Sequence, residues 1–113
     1  MDFESVEQFI LSLDGAKKSR PFDEHVVVYT VDAPGKEDPE MFAIMEEGKT
    51  PVRISLKCDP KLSTLLREKY ETVMPGNHLN QKIWNTVLLT GQLSWEEVQG
   101  LIRHSYILTT ATN

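Results

Sequence analysis

With 113 residues, 40% hydrophobic, 26% charged and 8% aromatic, the chain has the composition of one globular domain and is too short for two. Its longest apolar runs, around residues 26–31 and 87–89, fall far below the roughly 18 to 20 residues that cross a bilayer, so no membrane span is expected. A net charge of −5 argues against a surface built entirely to hold nucleic acid. The charge is uneven: residues 1–48 carry twelve acids against four Lys or Arg, and residues 49–113 carry eight against five acids. A local basic surface on an acidic protein is therefore open, although ordinary solvated lysines and arginines would look the same. Met1-Asp-Phe-Glu-Ser5 has acid where a secretory signal carries base, and the single Cys58 can form no internal disulfide. The expected location is a reducing cytoplasm.

Phe3, Val6, Phe9, Ile10 and Leu13 recur at spacings of three and four, which predicts a helix over residues 2–13, stopped by Asp14-Gly15. Lys17 to Pro21 reads as a polar connection. Val26 to Val31 is almost wholly β-branched or aromatic and predicts a central strand, followed by an exposed loop over Asp32 to Glu40 with two prolines and a glycine. Met41 to Met45 and Val52 to Lys57 predict a hairpin turning near Gly48; in the second strand Val52, Ile54 and Leu56 alternate with Arg53, Ser55 and Lys57, so one sheet face should meet water. Asp59 before Pro60 predicts a capped helix with Leu62, Leu65, Leu66 and Tyr70 as its buried stripe. Residues 72–79 and 83–89 read as two further extended segments around a polar turn at residues 80–82. Ser94 with Glu97 forms a capping box, and Leu93 with Val98 a hydrophobic staple, fixing the start of a last helix. The expected class is α+β: a single domain over residues 1–113, an antiparallel sheet with helices on one face, in the order α-β(3)-α-β(2)-α.

The chemistry-bearing residues are sparse. His25, His78 and His104 lie far apart and no Cys-x-x-Cys or His-x-His is present, so no metal site is expected, and no cofactor fingerprint occurs among the isolated glycines. Cys58 precedes a helix start, and His78 with Asn80 or Asn85 could complete a Cys-His-Asn set, but Asp59 beside it disfavours the thiolate. No catalytic residue is assigned and no enzyme is expected. The densest polar cluster is Pro75 to Asn85: Asn77, His78, Asn80, Gln81, Lys82 and Asn85 suit base edges or phosphates, with Trp84 able to stack. Equally, asparagine and glycine build turns, and Trp84 can fill the core.

Read end to end, the chain resembles the MmcQ/YjbR family. The resemblance rests on Pro21-Phe22, Phe42-Ala43, Leu56-Lys-Cys-Asp-Pro60, Leu65-Leu-Arg67, Pro75-Gly76, His78, Asn80, Lys82, Trp84-Asn-Thr-Val87 and Ser105-Tyr106. It implies a YjbR-like, secretion-chaperone-like fold in the same α-β(3)-α-β(2)-α order. It also implies a DNA-binding protein without enzymatic activity, whose contacts here would come from Arg53, Lys57, His78, Asn80, Lys82, Trp84 and Asn85. Gln81 and Ile83 make the 80–84 segment less basic than is usual in that family, and the acidic link at residues 32–40 is longer. The alternative is a protein-interaction or chaperone-like module using the exposed sheet face.

Overall fold

The computed structural model describes residues 1–76 and 79–111. Helix α1 (Phe3–Leu11) begins where the Asp2 carboxylate accepts the Ser5 N–H at 2.8 Å, and it buries Val6 and Ile10. Five further strands accompany β1 (Lys17–Ser19): β2 (Val26–Val31), β3 (Glu40–Glu46), β4 (Arg53–Lys57), β5 (Val73–Pro75) and β6 (Trp84–Leu88). They form one antiparallel sheet in the order β1-β2-β3-β4-β6-β5. Helix α2 (Pro60–Lys69) carries the chain from β4 across to β5, and β6 then inserts between those two strands. The α+β class and one-sided helices therefore hold.

One element departs from expectation. The connection at Lys17-Lys-Ser19 is an edge strand, paired as Lys17 with Thr30, Lys18 with Tyr29 and Ser19 with Val28. All three residues are exposed, so no hydrophobic alternation betrays the strand. Its lysines suit an edge that must not recruit another chain. The order becomes α-β(4)-α-β(2)-α.

The core lies between the sheet and the three helices. Val27, Tyr29, Ala43, Met45, Ile54, Leu56, Val73 and Val87 face Val6, Ile10, Val98 and Ile102. Phe9 meets Trp95 edge-on at 5.6 Å, joining α1 to α3 (Trp95–Thr110). The pairing of β2 with β3 slips between Tyr29 and Thr30, leaving Phe42 as an extra residue in β3. Phe42 turns towards α3, 5.6 Å from the Tyr106 ring, and its carbonyl accepts the Ser105 hydroxyl at 2.5 Å. Ser105 also accepts the Lys57 N–H at 2.9 Å, so one buried hydroxyl closes both backbone groups freed at the bulge.

On the opposite face the register places Ser19, Val28, Ile44, Ser55, Thr86 and Met74 in one row across all six strands, with no helix over them. No helix among the described residues is long and apolar enough to cross a membrane.

The cap of α3 forms as its sequence requires: Ser94 accepts the Glu97 N–H at 3.1 Å, and Glu97 accepts the Ser94 N–H at 3.1 Å. These bonds hold the Glu97 carboxyl below its usual value. Ser94→Ala should cost about 1 kcal/mol of stability. Denaturant unfolding with an unchanged midpoint would mean that the helix start does not depend on this hydroxyl.

Candidate nucleic-acid interface

The cluster at residues 75–85 is built around Trp84. Its backbone N–H donates to the Asn80 carbonyl at 2.9 Å, and the Asn80 side chain accepts the Lys82 N–H at 3.1 Å, so Asn80 shapes the turn that precedes β6. The Gly76 N–H donates to the Trp84 carbonyl at 2.9 Å. A Cβ on Gly76 would stand 3.0 Å from the Trp84 Cβ and 3.3 Å from its carbonyl oxygen, so glycine is needed here for close approach. Trp84 is 4% exposed, with the Lys57 ammonium 5.7 Å from its ring centroid.

Asn85 is also interior. Its amide donates to the Ser63 hydroxyl at 2.9 Å, and its carbonyl oxygen accepts from Arg67 Nε at 2.7 Å. Arg67 extends the same grip to the turn, donating to the Gln81 carbonyl at 2.6 Å and the Trp84 carbonyl at 3.2 Å. Trp84 and Asn85 are thus held inside the fold, where neither base stacking nor a base-edge contact reaches them.

The remaining candidates divide. Lys57 lies over the Trp84 ring, and Asn80 and Lys82 form the turn before it, whereas Arg53 starts the same strand that Lys57 ends, about 13 Å away at strand rise. His78 lies outside the described residues. In their place the structure supplies Arg67, which with Lys82, Pro60, Ser63, Thr64 and Gln81 lines a cleft of about 350 Å³ between α2 and the 80–85 turn. Arg67 stands in the Leu-Leu-Arg motif, but its partners are 14 to 18 positions away, so spacing could not reveal its role. Burial pulls the Lys57 pKa below that of an ordinary lysine, against attraction from Glu40. An anion beside that ammonium would restore the charge that burial disfavours.

Cys58 is 3% exposed, and burial pushes its thiol pKa up, with Asp59 adding to the shift and Ser63 opposing it. Iodoacetamide should therefore label the native thiol on the order of tenfold more slowly than the unfolded one. Equal rates would show an accessible, activated cysteine. Among the described residues no three His, Cys, Asp or Glu side chains converge as a metal site would require.

The comparisons agree with this architecture. The YjbR family model matches residues 11–108. The uncharacterized protein YjbR of Escherichia coli K12 is 38% identical over 66 residues, 58% of this chain and 56% of that protein, so the match spans just over half of that relative's length. The uncharacterized protein YbdF of Escherichia coli O157:H7 is 27% identical over 93% of this chain and 81% of its own. Among solved structures, the Deinococcus radiodurans protein DR2400, described by its family-model domain DUF419, superposes with a TM-score of 0.85 at 33% identity, covering 93% of this chain and 75% of that one. A Pseudomonas syringae protein gives 0.77 at 26% identity, over 96% and 99% of the two chains. With its family model matched over most of its length and a shared fold at this identity, the chain belongs to the YjbR family.

Proposed function

We propose that the chain is a non-enzymatic nucleic-acid-binding module of a reducing, cytoplasmic compartment, holding duplex phosphates with Lys57, which lies over the Trp84 ring, with Arg67, which reaches the Trp84 carbonyl, and with Lys82, which lines the same cleft as Arg67. The observation that carries this reading is the distribution of ion pairs. Those among the described residues, including Lys18 with Glu7, Arg20 with Glu47, Lys36 with Glu40 and Lys49 with Glu46, all lie within residues 7–49. Lys57, Arg67 and Lys82 pair with no carboxylate among the described residues, and the Arg67–Lys82 cleft has no acid in its lining. Arg67 is fixed by neutral carbonyls, which orient its guanidinium without cancelling its charge. The neutral Asn80 and Gln81 amides at the turn add hydrogen-bonding groups beside these cations.

Three neutralised phosphates predict a log-log salt slope of about −2.7 on duplex DNA. Fluorescence anisotropy of a labelled duplex over a salt series reads it directly. Undetectable binding at low salt, or affinity independent of salt, would remove the nucleic-acid reading. The protein-interaction reading would then stand on the helix-free sheet face, where the partly exposed Ile44, Ser55, Thr86 and Met74 form an uncharged row.

A further inference from the structure

The acidic link between β2 and β3, which its composition predicts as an exposed loop, walls a cavity of about 590 Å³. Pro34 and Gly35 fold it back: the Lys36 N–H donates to the Ala33 carbonyl at 3.1 Å, and Gly35 takes the φ of 74° that the third residue of such a turn requires. The turn brings Lys36 into the lining beside Glu40, the first residue of β3. The last turn of α3 contributes Leu108 and Thr109, neither of them charged. Lys57, from the end of β4, joins them.

Lys57 differs from every other lysine of the chain: the rest are exposed, and Lys57 alone is half-buried. Its backbone is fixed from two sides, paired with Trp84 in β6 and donating its N–H to Ser105 of α3 at 2.9 Å. Its ammonium lies 5.7 Å from the Trp84 ring centroid and pairs with no carboxylate among the described residues. Burial disfavours the charged form, and Lys36 adds to this while Glu40 opposes it. A lysine is a nucleophile only through its neutral amine, so this side chain is the lysine best placed to react.

We propose that Lys57 is a modification site, acylated in this cavity by a small acyl phosphate. The reagent class follows from the lining. Two lysines against one glutamate leave the cavity net positive, which draws an anionic electrophile. Lys36 and Glu40 pair loosely, 3.8 Å apart with side chains 62% and 39% exposed, so the Lys36 ammonium can meet the phosphate end while Lys57 meets the carbonyl carbon. The neutral Lys57 amine attacks that carbon, the bond from carbon to the bridging oxygen breaks, and phosphate leaves with the electron pair. The proton released from nitrogen passes to the phosphate, and an uncharged amide remains. On the phosphate-binding reading above, this amide removes the charge of one of three contacts, so acylation weakens duplex binding.

Mass spectrometry of the whole chain treated with acetyl phosphate, with no nucleic acid present, gives a result separate from that reading. At about pH 7.5, Lys57 should acylate at least about threefold faster than the mean of the exposed Lys61, Lys69 and Lys82. In guanidinium chloride strong enough to unfold the chain, the advantage should vanish. Lys36→Ala should slow the Lys57 reaction with acetyl phosphate at least about threefold more than its reaction with an uncharged N-hydroxysuccinimide ester, which carries no phosphate for Lys36 to draw. Lys36 is exposed on a turn, so this variant should unfold at the wild-type midpoint. A Lys57 that reacts no faster than the exposed lysines, an advantage that survives unfolding, or equal slowing with the two reagents would overturn the proposal.

Discussion

Ser105→Ala is expected to destabilise the domain by about 2–4 kcal/mol, because one hydroxyl satisfies two backbone groups and the alanine methyl satisfies neither. The Phe42 carbonyl loses its donor at the β3 bulge and the Lys57 N–H loses its acceptor at the end of β4. Ser105 is fully buried, so water does not replace it without opening the contact between α3 and the sheet. Ser55→Ala is the control: its hydroxyl shares a 2.9 Å hydrogen bond with Thr86 on the helix-free face, where solvent can compensate. That variant should lose less than about 1 kcal/mol in the same urea titration. Equal losses for the two serines would show that Ser105 does not seal the bulge.

Asn85→Leu should cost a similar amount, about 2–4 kcal/mol, for a different reason. Leucine has comparable bulk, but it strands Arg67 Nε and the Ser63 hydroxyl, and the first of these is a charged donor. The turn at residues 80–84 should loosen with it, since Arg67 holds that turn from the side Asn85 fixes. Urea unfolding together with amide hydrogen exchange of the Trp84 N–H would read both effects. A contact residue would behave oppositely, losing affinity at unchanged stability, and that pattern for Asn85→Leu would return the residue to the interface.

The features legible in the sequence are those set by local chemistry. Asp59 with Pro60, and Ser94 with Glu97, each announce a helix start because capping is completed within four residues. The alternation in β4 likewise separates Ile54 and Leu56 from Arg53, Ser55 and Lys57, because strand side chains alternate strictly. Long-range partners are not legible in this way. β1 is polar throughout, so only its pairing with β2 reveals it. Leu65 has the right spacing for a buried stripe, but spacing does not say whether another element covers the stripe. Asn85 reads as a surface amide because its partners, Ser63 and Arg67, are 22 and 18 residues away. Of the candidate contacts, Trp84 and Asn85 are buried supports, Arg53 and Lys57 stand at opposite ends of β4, Asn80 and Lys82 lie in the turn before β6, and Arg67 is a further cation lining the cleft beside that turn.

That division is the central claim, and comparing salt slopes across variants tests it most directly. With a labelled duplex in fluorescence anisotropy, Lys82→Ala should reduce the magnitude of the log-log slope by about 0.9, the share of one neutralised phosphate, while leaving unfolding unchanged. Arg53→Ala, at the far end of β4, should retain the wild-type slope. If Arg53→Ala flattens the slope as much as Lys82→Ala, or Lys82→Ala leaves it intact, the phosphate contacts do not lie at the Trp84 corner.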